Sequence, residues 1–446
     1  MKKLQILTLG CSKNRVDSEH LLDLLAMQYE IIPETQGSEF EETQDPDVML
    51  VNTCGFIADA KEESIEVIFE QVERKKRGEI QSLIVFGCLS ERYAKDLPEL
   101  IPEVDAWFGV RDFQPMLHYL GVDEAFENAG RYQTSPSHYA YLKISEGCDR
   151  HCSYCAIPSI RGAHRSVPME VLEKEARMLV SRGVKELILI AQDTSCYGLD
   201  LYRERKLAQL LRNLSQIEDL EWIRIHYSYP DHFPVDAIEE IASNPKICAY
   251  MDIPIQHISD GVLSNMRRGV NGEKTRRVIQ TLRDKIPGLV LRTTLIVGHP
   301  GEGEEEFAEL LDFVKEARFE RLGAFKYSEE EGTYAAQHLE DTLSDEQKQE
   351  RLDALMQLQS EISLQFNQSR VGSEEEVLVD DYSDGVWICR SRYESPEVDG
   401  EILVGPSSLL PQDMDPYCLI GEKIKVKITG ADDYDLIAEF VSLDLD

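Results

Sequence analysis

Three cysteines, Cys148, Cys152 and Cys155, lie in the stretch "GCDRHCSYC". Thiolates at such spacing can hold an iron–sulfur cluster or a zinc ion, or can form a redox disulfide. A tetrahedral zinc site would need a fourth ligand, for example His151, and a disulfide between Cys152 and Cys155 would leave Cys148 without a role. A four-iron cluster held by three thiolates keeps one iron without a protein ligand, and that iron can bind an exchangeable small molecule. The spacing therefore favours an open iron–sulfur cluster.

Three further cysteines follow apolar runs near the start of the chain. Cys11 ends "ILTLGC", Cys54 ends "MLVNTC" and Cys88 ends "LIVFGC". Ligand sites in parallel sheets form beyond the carboxyl ends of strands, so these thiols are expected to converge there as a second metal site. The alternative is that each packs as a small hydrophobic side chain.

The elements that must position these cysteines follow an α/β pattern. Over residues 1–125, apolar runs alternate with helical segments, which predicts a parallel sheet with a flavodoxin-like layout. After the polar connection at 131–138, residues 139–370 contain six strand candidates separated by amphipathic segments and end in a predicted helix over 340–366. This pattern predicts a partial or complete (β/α) barrel, with functional residues in the loops after its strands. The strand candidates are 141–144, 187–191, 223–227, 250–255, 290–297 and 322–327.

Residues 371–446 change character to short strands separated by Gly, Pro and Asp, which predicts a small OB-like β-barrel. This segment has 5 basic and 19 acidic residues, a net charge of -14, and the whole chain of 446 residues has a net charge of -36. Such charge disfavours binding to phosphates and favours a basic protein partner, although an acidic surface can also serve solubility alone. No membrane-spanning segment and no export signal is predicted, so a cytoplasmic protein is expected.

The cysteine motifs resemble those of a known family. The stretch "CDRHCSYC", with the aromatic Tyr154 before its last cysteine, resembles the signature of radical S-adenosylmethionine (SAM) enzymes. The stretches "GCSKN", "NTCGF" and "GCLSER" are similar to the amino-terminal module of methylthiotransferases, and the acidic carboxyl-terminal segment is similar to their TRAM domain. The resemblance implies an N-terminal methylthiotransferase domain (1–125), a partial (β/α) radical-SAM barrel (139–370) and a TRAM domain (371–446).

Four other stretches distinguish between two types within this family. "AIPSIRG", "AQDTSCYG", "PIQHISDGVL" and "FKYSEEEGT" resemble the enzymes that modify an aspartate of a decoding-centre small-subunit ribosomal protein. The alternatives are an enzyme that modifies an adenosine of transfer RNA and a non-enzymatic iron–sulfur scaffold. One departure from the family pattern is His299 in "VGHPGE", where Phe is usual.

The resemblance implies two [4Fe-4S] clusters and SAM as cofactors. Cys148, Cys152 and Cys155 would hold the cluster that binds SAM, and a flavodoxin- or ferredoxin-type donor would reduce it to release a 5′-deoxyadenosyl radical. Cys11, Cys54 and Cys88 would hold the auxiliary cluster, where a sulfide accepts a methyl group before transfer to the β-carbon of the aspartate. Each candidate cofactor contact could instead be a structural residue. These candidates are Tyr154, Gln192, Asp193, Gln256, His257, Arg292 and Gly298.

Overall fold

The structure is a computed structural model that describes residues 1–33, 45–231, 233–411 and 414–443. Within these residues the chain forms two parallel sheets, a closed barrel and a short two-stranded ribbon. No helix in the described part of the chain is both long and apolar enough to cross a membrane.

The N-terminal sheet has five parallel strands in the order β2-β1-β3-β4-β5. This is the order of flavodoxin-like sheets, so the predicted layout is confirmed. The edge strands β2 and β5 were not predicted, because segments of three and two residues are too short to produce an apolar run. The strands are β1 (Lys2–Thr8), β2 (Tyr29–Ile31), β3 (Val48–Thr53), β4 (Ser82–Gly87) and β5 (Ala106–Trp107). The helices are α1 (Ser12–Leu25), α2 (Ala58–Lys76), α3 (Cys88–Arg92), α4 (Leu97–Leu100) and α5 (Gln114–Tyr119).

The central sheet has six parallel strands whose neighbours follow the chain order, apart from the ribbon of β7 and β8. The sheet is open and does not close into a complete barrel, and all six predicted strands are present. The strands are β6 (Tyr139–Lys143), β7 (Ser145–Glu146), β8 (Arg165–Ser166), β9 (Glu186–Ile190), β10 (Trp222–Ile225), β11 (Ile247–Asp252), β12 (Val290–Val297) and β13 (Arg321–Lys326). The helices are α6 (Ile157–Arg161), α7 (Met169–Ser181), α8 (Leu199–Tyr202), α9 (Leu207–Ser215), α10 (Val235–Ser243), α11 (Asp260–Asn265), α12 (Gly272–Lys285), α13 (Glu304–Ala317), α14 (Tyr334–His338) and α15 (Asp345–Arg370).

Alternation along the central strands gives this sheet two different faces. On β12, Leu291, Leu295 and Val297 pack into the core that the outer helices share, so Arg292, Thr294 and Ile296 point to the inner side. The helix α15 begins after the predicted position 340, because Ser344 forms a capping box: its Oγ accepts from the Gln347 amide, and Gln347 Oε1 accepts from the Ser344 amide.

The C-terminal segment forms a closed five-stranded barrel, ordered β14-β15-β16-β18-β17, which confirms the predicted small barrel. Its apolar core is built from alternate residues of these strands, including Val377, Trp387 and Val426. The strands are β14 (Glu374–Ser383), β15 (Val386–Arg390), β16 (Ile402–Val404), β17 (Lys423–Ala431) and β18 (Leu436–Ser442).

Residues 391–399, in the connection between β15 and β16, pack against the inner side of the central sheet; we call them the barrel insert. Ser395 Oγ lies 2.8 Å from His226 Nε2, and Tyr250 Oη donates to Asp399 at 2.6 Å. Glu397 accepts hydrogen bonds from two tyrosines of β6 and pairs with Arg15 of α1 at 2.5 Å. One segment of the barrel therefore contacts both parallel sheets.

Candidate active site

Cys11, Cys54 and Cys88 lie at the carboxyl edge of the N-terminal sheet. Cys11 directly precedes α1, Cys54 follows β3, and Cys88 begins α3 immediately after β4. Gly10 has a φ of +88°, and a Cβ on it would lie 2.6 Å from Cys54 Cβ and 2.9 Å from Cys54 Sγ. Glycine is therefore required for the backbone carrying Cys11 to approach Cys54.

Asn14 fixes the positions of these loops. Its buried side chain donates to the carbonyl oxygens of Leu9 at 2.8 Å and Thr53 at 3.2 Å, which joins the ends of β1 and β3. Its Oδ1 lies 3.8 Å from Cys88 Sγ. One amide thus contacts the surroundings of all three cysteines.

Two cations act on these thiols. Burial alone would raise the pKa of the Cys11 thiol, but Lys13 and Arg161, with nearby backbone N–H groups, lower it below its usual value. Burial raises the pKa of Cys88 to about 12 although Arg161 Nε donates to its Sγ at 3.4 Å. The three thiols are therefore unequal, and Cys11 forms a thiolate most readily.

Arg161 also joins the two cysteine sets. It ends α6, which begins two residues after Cys155, yet its guanidinium reaches the N-terminal sheet. It donates to Asn14 Oδ1 at 2.5 Å, Asp17 Oδ2 at 3.1 Å and Glu146 Oε2 at 2.7 Å. Because this side chain is buried, the relative position of the two sets depends on it.

Cys148, Cys152 and Cys155 lie in the loop after β7, beyond the carboxyl end of the first central strand. The Cys148 amide donates to the carbonyl of Gly162 at 3.1 Å, and the Cys155 amide donates to that of Cys152 at 3.1 Å. Burial is the main cause that raises the pKa of both Cys148 and Cys155 to about 12. The three cysteines therefore lie at the end of the strands where (β/α) barrels have their functional residues.

Donors and an aromatic ring surround this loop. The Arg150 amide donates to Cys148 Sγ at 3.4 Å, and Arg268 Nη1 donates to Cys152 Sγ at 3.6 Å and to Tyr154 Oη at 3.3 Å. The guanidinium groups of Arg150 and Arg268 lie over the ring of Tyr229, at 3.8 and 4.1 Å from its centroid. Hydrogen bonds to thiolate sulfur are one of the means by which proteins tune iron–sulfur clusters.

In the described ranges, no three His, Cys, Asp or Glu side chains converge closely enough to hold a single metal ion. A single metal ion, as in a zinc site, has all its ligands directly around it. A four-iron cluster distributes its thiolates over separate irons, so its ligands surround a volume instead of meeting at a point. Two sets of three thiols, each with cations and N–H donors beside it, are compatible with such clusters.

Two of the predicted cofactor contacts lie beside the Cys148 loop. Gln192 Nε2 donates to Glu146 Oε1 at 2.7 Å, whereas Gln192 Oε1 is buried without a hydrogen-bond partner. Asp193 accepts from Arg150 Nε at 3.0 Å and from the Ser195 amide at 3.0 Å. Gln192 therefore has a free acceptor for a ligand hydroxyl, whereas Asp193 orients Arg150.

Gln256 and His257 differ in their surroundings although they are adjacent. Gln256 adopts a φ of +72°, which is strained for a residue with a side chain, and it pairs with β12 through its backbone. His257 is fully buried, accepts from the Ser259 amide through Nδ1 and lies 3.2 Å from Glu302 through Nε2. His257 Nε2 is thus close to a buried carboxylate but has no hydrogen-bond partner among the described residues.

Arg292 and Gly298 each lie against neighbouring elements of the protein. Arg292 Nη1 donates to Asp252 at 3.1 Å, and its Nε lies 3.6 Å from Asp399 of the barrel insert. At Gly298, where φ is +75°, a Cβ would lie 2.5 Å from Lys348 Cγ on α15. Both residues therefore contact structural elements in this conformation.

His299, the departure from the family pattern, contacts the cysteine loop. Its Nε2 lies 3.3 Å from Ser153 Oγ, and its Nδ1 lies 3.1 Å from the carbonyl oxygen of Pro300. Burial lowers the pKa of His299 to about 4, so the ring is neutral at pH 7 and Nε2 can accept a hydrogen bond from the Ser153 hydroxyl.

Sequence reasoning did not assign roles to Lys13, Arg150, Arg161 or Arg268. Lys13 and Arg161 lie within "GCSKN" and "AIPSIRG", which were used only for the resemblance. A positive residue close in sequence to a thiolate ligand is a signal that could have identified them.

Comparisons with known proteins agree with the arrangement. Residues 142–314 match the Radical SAM superfamily, residues 3–109 match the Uncharacterized protein family UPF0004, and residues 371–441 match the TRAM domain. Among solved structures, the radical S-adenosylmethionine methyltransferase TsrM from Kitasatospora setae, with cobalamin and a [4Fe-4S] cluster bound, has a TM-score of 0.53 at 13% identity. That match covers 92% of this chain and 83% of TsrM, and it shows similarity of fold alone.

Curated relatives match along almost the whole chain. The "Ribosomal protein uS12 methylthiotransferase RimO" of Phocaeicola vulgatus is 48% identical over 440 residues, which are 98% of this chain and 99% of the relative. The protein of the same name from Bacteroides thetaiotaomicron is 48% identical over 443 residues, covering 99% of each chain. At this identity over the full length, the chain belongs to the RimO family of radical SAM methylthiotransferases.

Proposed function

We propose that this enzyme adds a methylthio group to the β-carbon of an aspartate in ribosomal protein uS12. The observation that carries the proposal is the pair of three-cysteine sets joined by the buried Arg161, because this reaction needs two clusters held close together. When bound, the two [4Fe-4S] clusters and SAM supply the carbon radical, the methyl group and the sulfur.

The residues of the chain then have separate tasks. We propose that Cys148, Cys152 and Cys155 hold the cluster that binds SAM, with Tyr154 and Arg268 beside it, and that Gln192 offers its free Oε1 to a hydroxyl of the cofactor. Cys11, Cys54 and Cys88 hold the auxiliary cluster. Gln256, with its strained backbone next to β12, remains a candidate contact.

The acidic charge supports a basic protein as the partner. Some acidic residues of the C-terminal barrel are already paired, since Glu394, Glu397 and Asp399 contact arginines outside the barrel. Exposed acids remain available to a Lys- and Arg-rich protein. The exposed acidic residues include Asp381, Asp384, Glu401, Asp432, Asp433 and Glu439. Three of the 19 acidic residues counted in this segment, Asp413, Asp444 and Asp446, lie outside the described residues.

The remaining assignments follow from the substrate and the chemistry. A ribosomal substrate places the reaction in the cytoplasm, and a flavodoxin- or ferredoxin-type protein would supply the electrons. The full-length relatives are uS12 enzymes, so transfer RNA is not favoured.

The test uses purified enzyme with both clusters, SAM and a chemical reductant, offered uS12 and transfer RNA in parallel. We expect mass spectrometry to find the methylthio group on one aspartate of uS12. The product should disappear with Cys148→Ala and persist with Cys418→Ala, which changes an exposed thiol outside both sets. Methylthiolated adenosine without modified uS12 would overturn the proposal.

A further inference from the structure

Arg161 and Lys13 both lie near the auxiliary cysteines, but only Arg161 has carboxylate partners. Arg161 and Lys143 face the carboxylates of Asp17 and Glu146, and these four side chains form a neutral group. Lys13, two residues after Cys11, makes no hydrogen bond or ion pair with a carboxylate among the described residues. Its contact is with the ring of Tyr227, whose centroid lies 3.4 Å from Nζ.

Lys13 as a whole residue is 8% exposed, and none of the described carboxylates pairs with its ammonium group. Removing a charge from water is costly unless a partner compensates, and a ring face replaces only part of the lost hydration. A largely buried lysine whose N–H donors have no carboxylate partner is therefore suited to a negatively charged ligand.

Backbone strain in the central sheet supports the same location. Tyr227, just beyond β10, has a φ of +58°, an unfavourable conformation for a residue with a Cβ, and its amide donates to Asp252 at 3.1 Å. Strained residues that the surrounding structure holds in place are concentrated at functional sites. Here the strain presents an aromatic ring to Lys13, at the contact between the N-terminal sheet and the loops of the central sheet.

We propose that Lys13 binds the carboxylate of the substrate aspartate and so determines the choice of aspartate over uncharged residues. This inference rests on the proposed function. In aspartate the carboxylate carbon is bonded directly to the β-carbon, so a cation that holds the carboxylate also fixes the atom to be modified. The position of Lys13 beside Cys11 then places that carbon next to the auxiliary thiols.

The competing role for Lys13 is to balance the negative charge of a cluster held by three thiolates. The two roles differ in one measurable respect: a substrate-binding lysine discriminates between aspartate and the isosteric, uncharged asparagine. A lysine that serves only the cluster affects both peptides equally and changes the iron content.

The experiment compares the wild type, Lys13→Met and the control Lys95→Met, each as the full chain carrying its clusters. Lys95 is an exposed lysine of the same N-terminal region. Iron content is measured first, followed by the Kd of a uS12 peptide containing the target aspartate and of the same peptide with asparagine. Lys13→Gln replaces Lys13→Met if the latter does not fold.

We expect Lys13→Met to keep its iron and to bind the aspartate peptide about 10- to 100-fold more weakly, the value of one hydrogen bond between charged groups. The Kd of the asparagine peptide should change less than about threefold in Lys13→Met. Lys95→Met should bind both peptides as the wild type does. Equal weakening of both peptides, an unchanged preference, or loss of iron would overturn the inference. A wild type that binds the aspartate peptide but never modifies it would instead overturn the proposed function.

Discussion

Replacing Arg161 with Met should destabilise the contact between the two cysteine sets. In the wild type, Arg161 and Lys143 balance Asp17 and Glu146, and the variant leaves one net negative charge in this buried group. Breaking a buried ion pair by removing one partner costs about 3–5 kcal/mol. Lys143 still contacts both carboxylates, so we expect a loss near the lower limit, about 3 kcal/mol.

Urea unfolding of the full chain at pH 7 measures this loss. Arg111→Met is a matched control, because Arg111 is half-exposed and donates to the carbonyl of Ile160, which lies on α6 beside Arg161. This variant should lower the free energy of unfolding by less than about 1 kcal/mol. Adding Asp17→Asn to Arg161→Met restores the charge balance, so the double variant should be more stable than additivity predicts by at least about 1 kcal/mol. A loss below about 1 kcal/mol for Arg161→Met, or strict additivity, would refute this description of the group.

Three further predictions concern the cysteine sets and the barrel insert. Gly10→Ala should displace Cys54 and lower the iron content from about eight to about four per chain, whereas Gly78→Ala, with a similar φ of +83° but open space around it, should keep all its iron. Replacing either cysteine set with Ala should leave about four irons; metal analysis checks both predictions, and loss of all iron would show that the sites depend on each other. Burial opposes ionisation of Glu394, but Arg370 and Arg321 lower its pKa from 4.5 to about 2. Because folding lowers this pKa, Glu394 contributes about 3 kcal/mol above about pH 4.5, and that contribution disappears as the pH falls towards 2. In urea titrations of the apoprotein, Glu394→Gln should therefore lose most stability at neutral pH and approach the wild type in acid, and a pH-independent difference would contradict the assignment.

The main elements of the fold could be predicted because their signals are local. The strands β1, β3 and β4 are apolar runs buried on both faces, and Cys11, Cys54 and Cys88 stand close behind them. The strand order then brings these positions to one edge, which short-range patterns and the rules for parallel sheets are sufficient to anticipate.

What could not be predicted depends on contacts between distant parts of the chain. The barrel insert appears as a polar loop in the sequence, and nothing local indicates that Glu397 reaches Arg15 or that Asp399 approaches Arg292. Likewise, His257 lies 3.2 Å from Glu302, although the whole of β12 separates these two residues in the sequence. A polar residue at a strand end therefore has the same sequence pattern whether it contacts a cofactor or another domain.

The most direct test of the central claim is the intact mass of uS12 from cells with and without this gene. We predict that uS12 carries a methylthio increment in cells with the gene and that the increment disappears when the gene is deleted. It should return with the wild-type chain but not with Cys148→Ala. If uS12 keeps the increment after deletion, the assignment of this substrate to this enzyme is wrong.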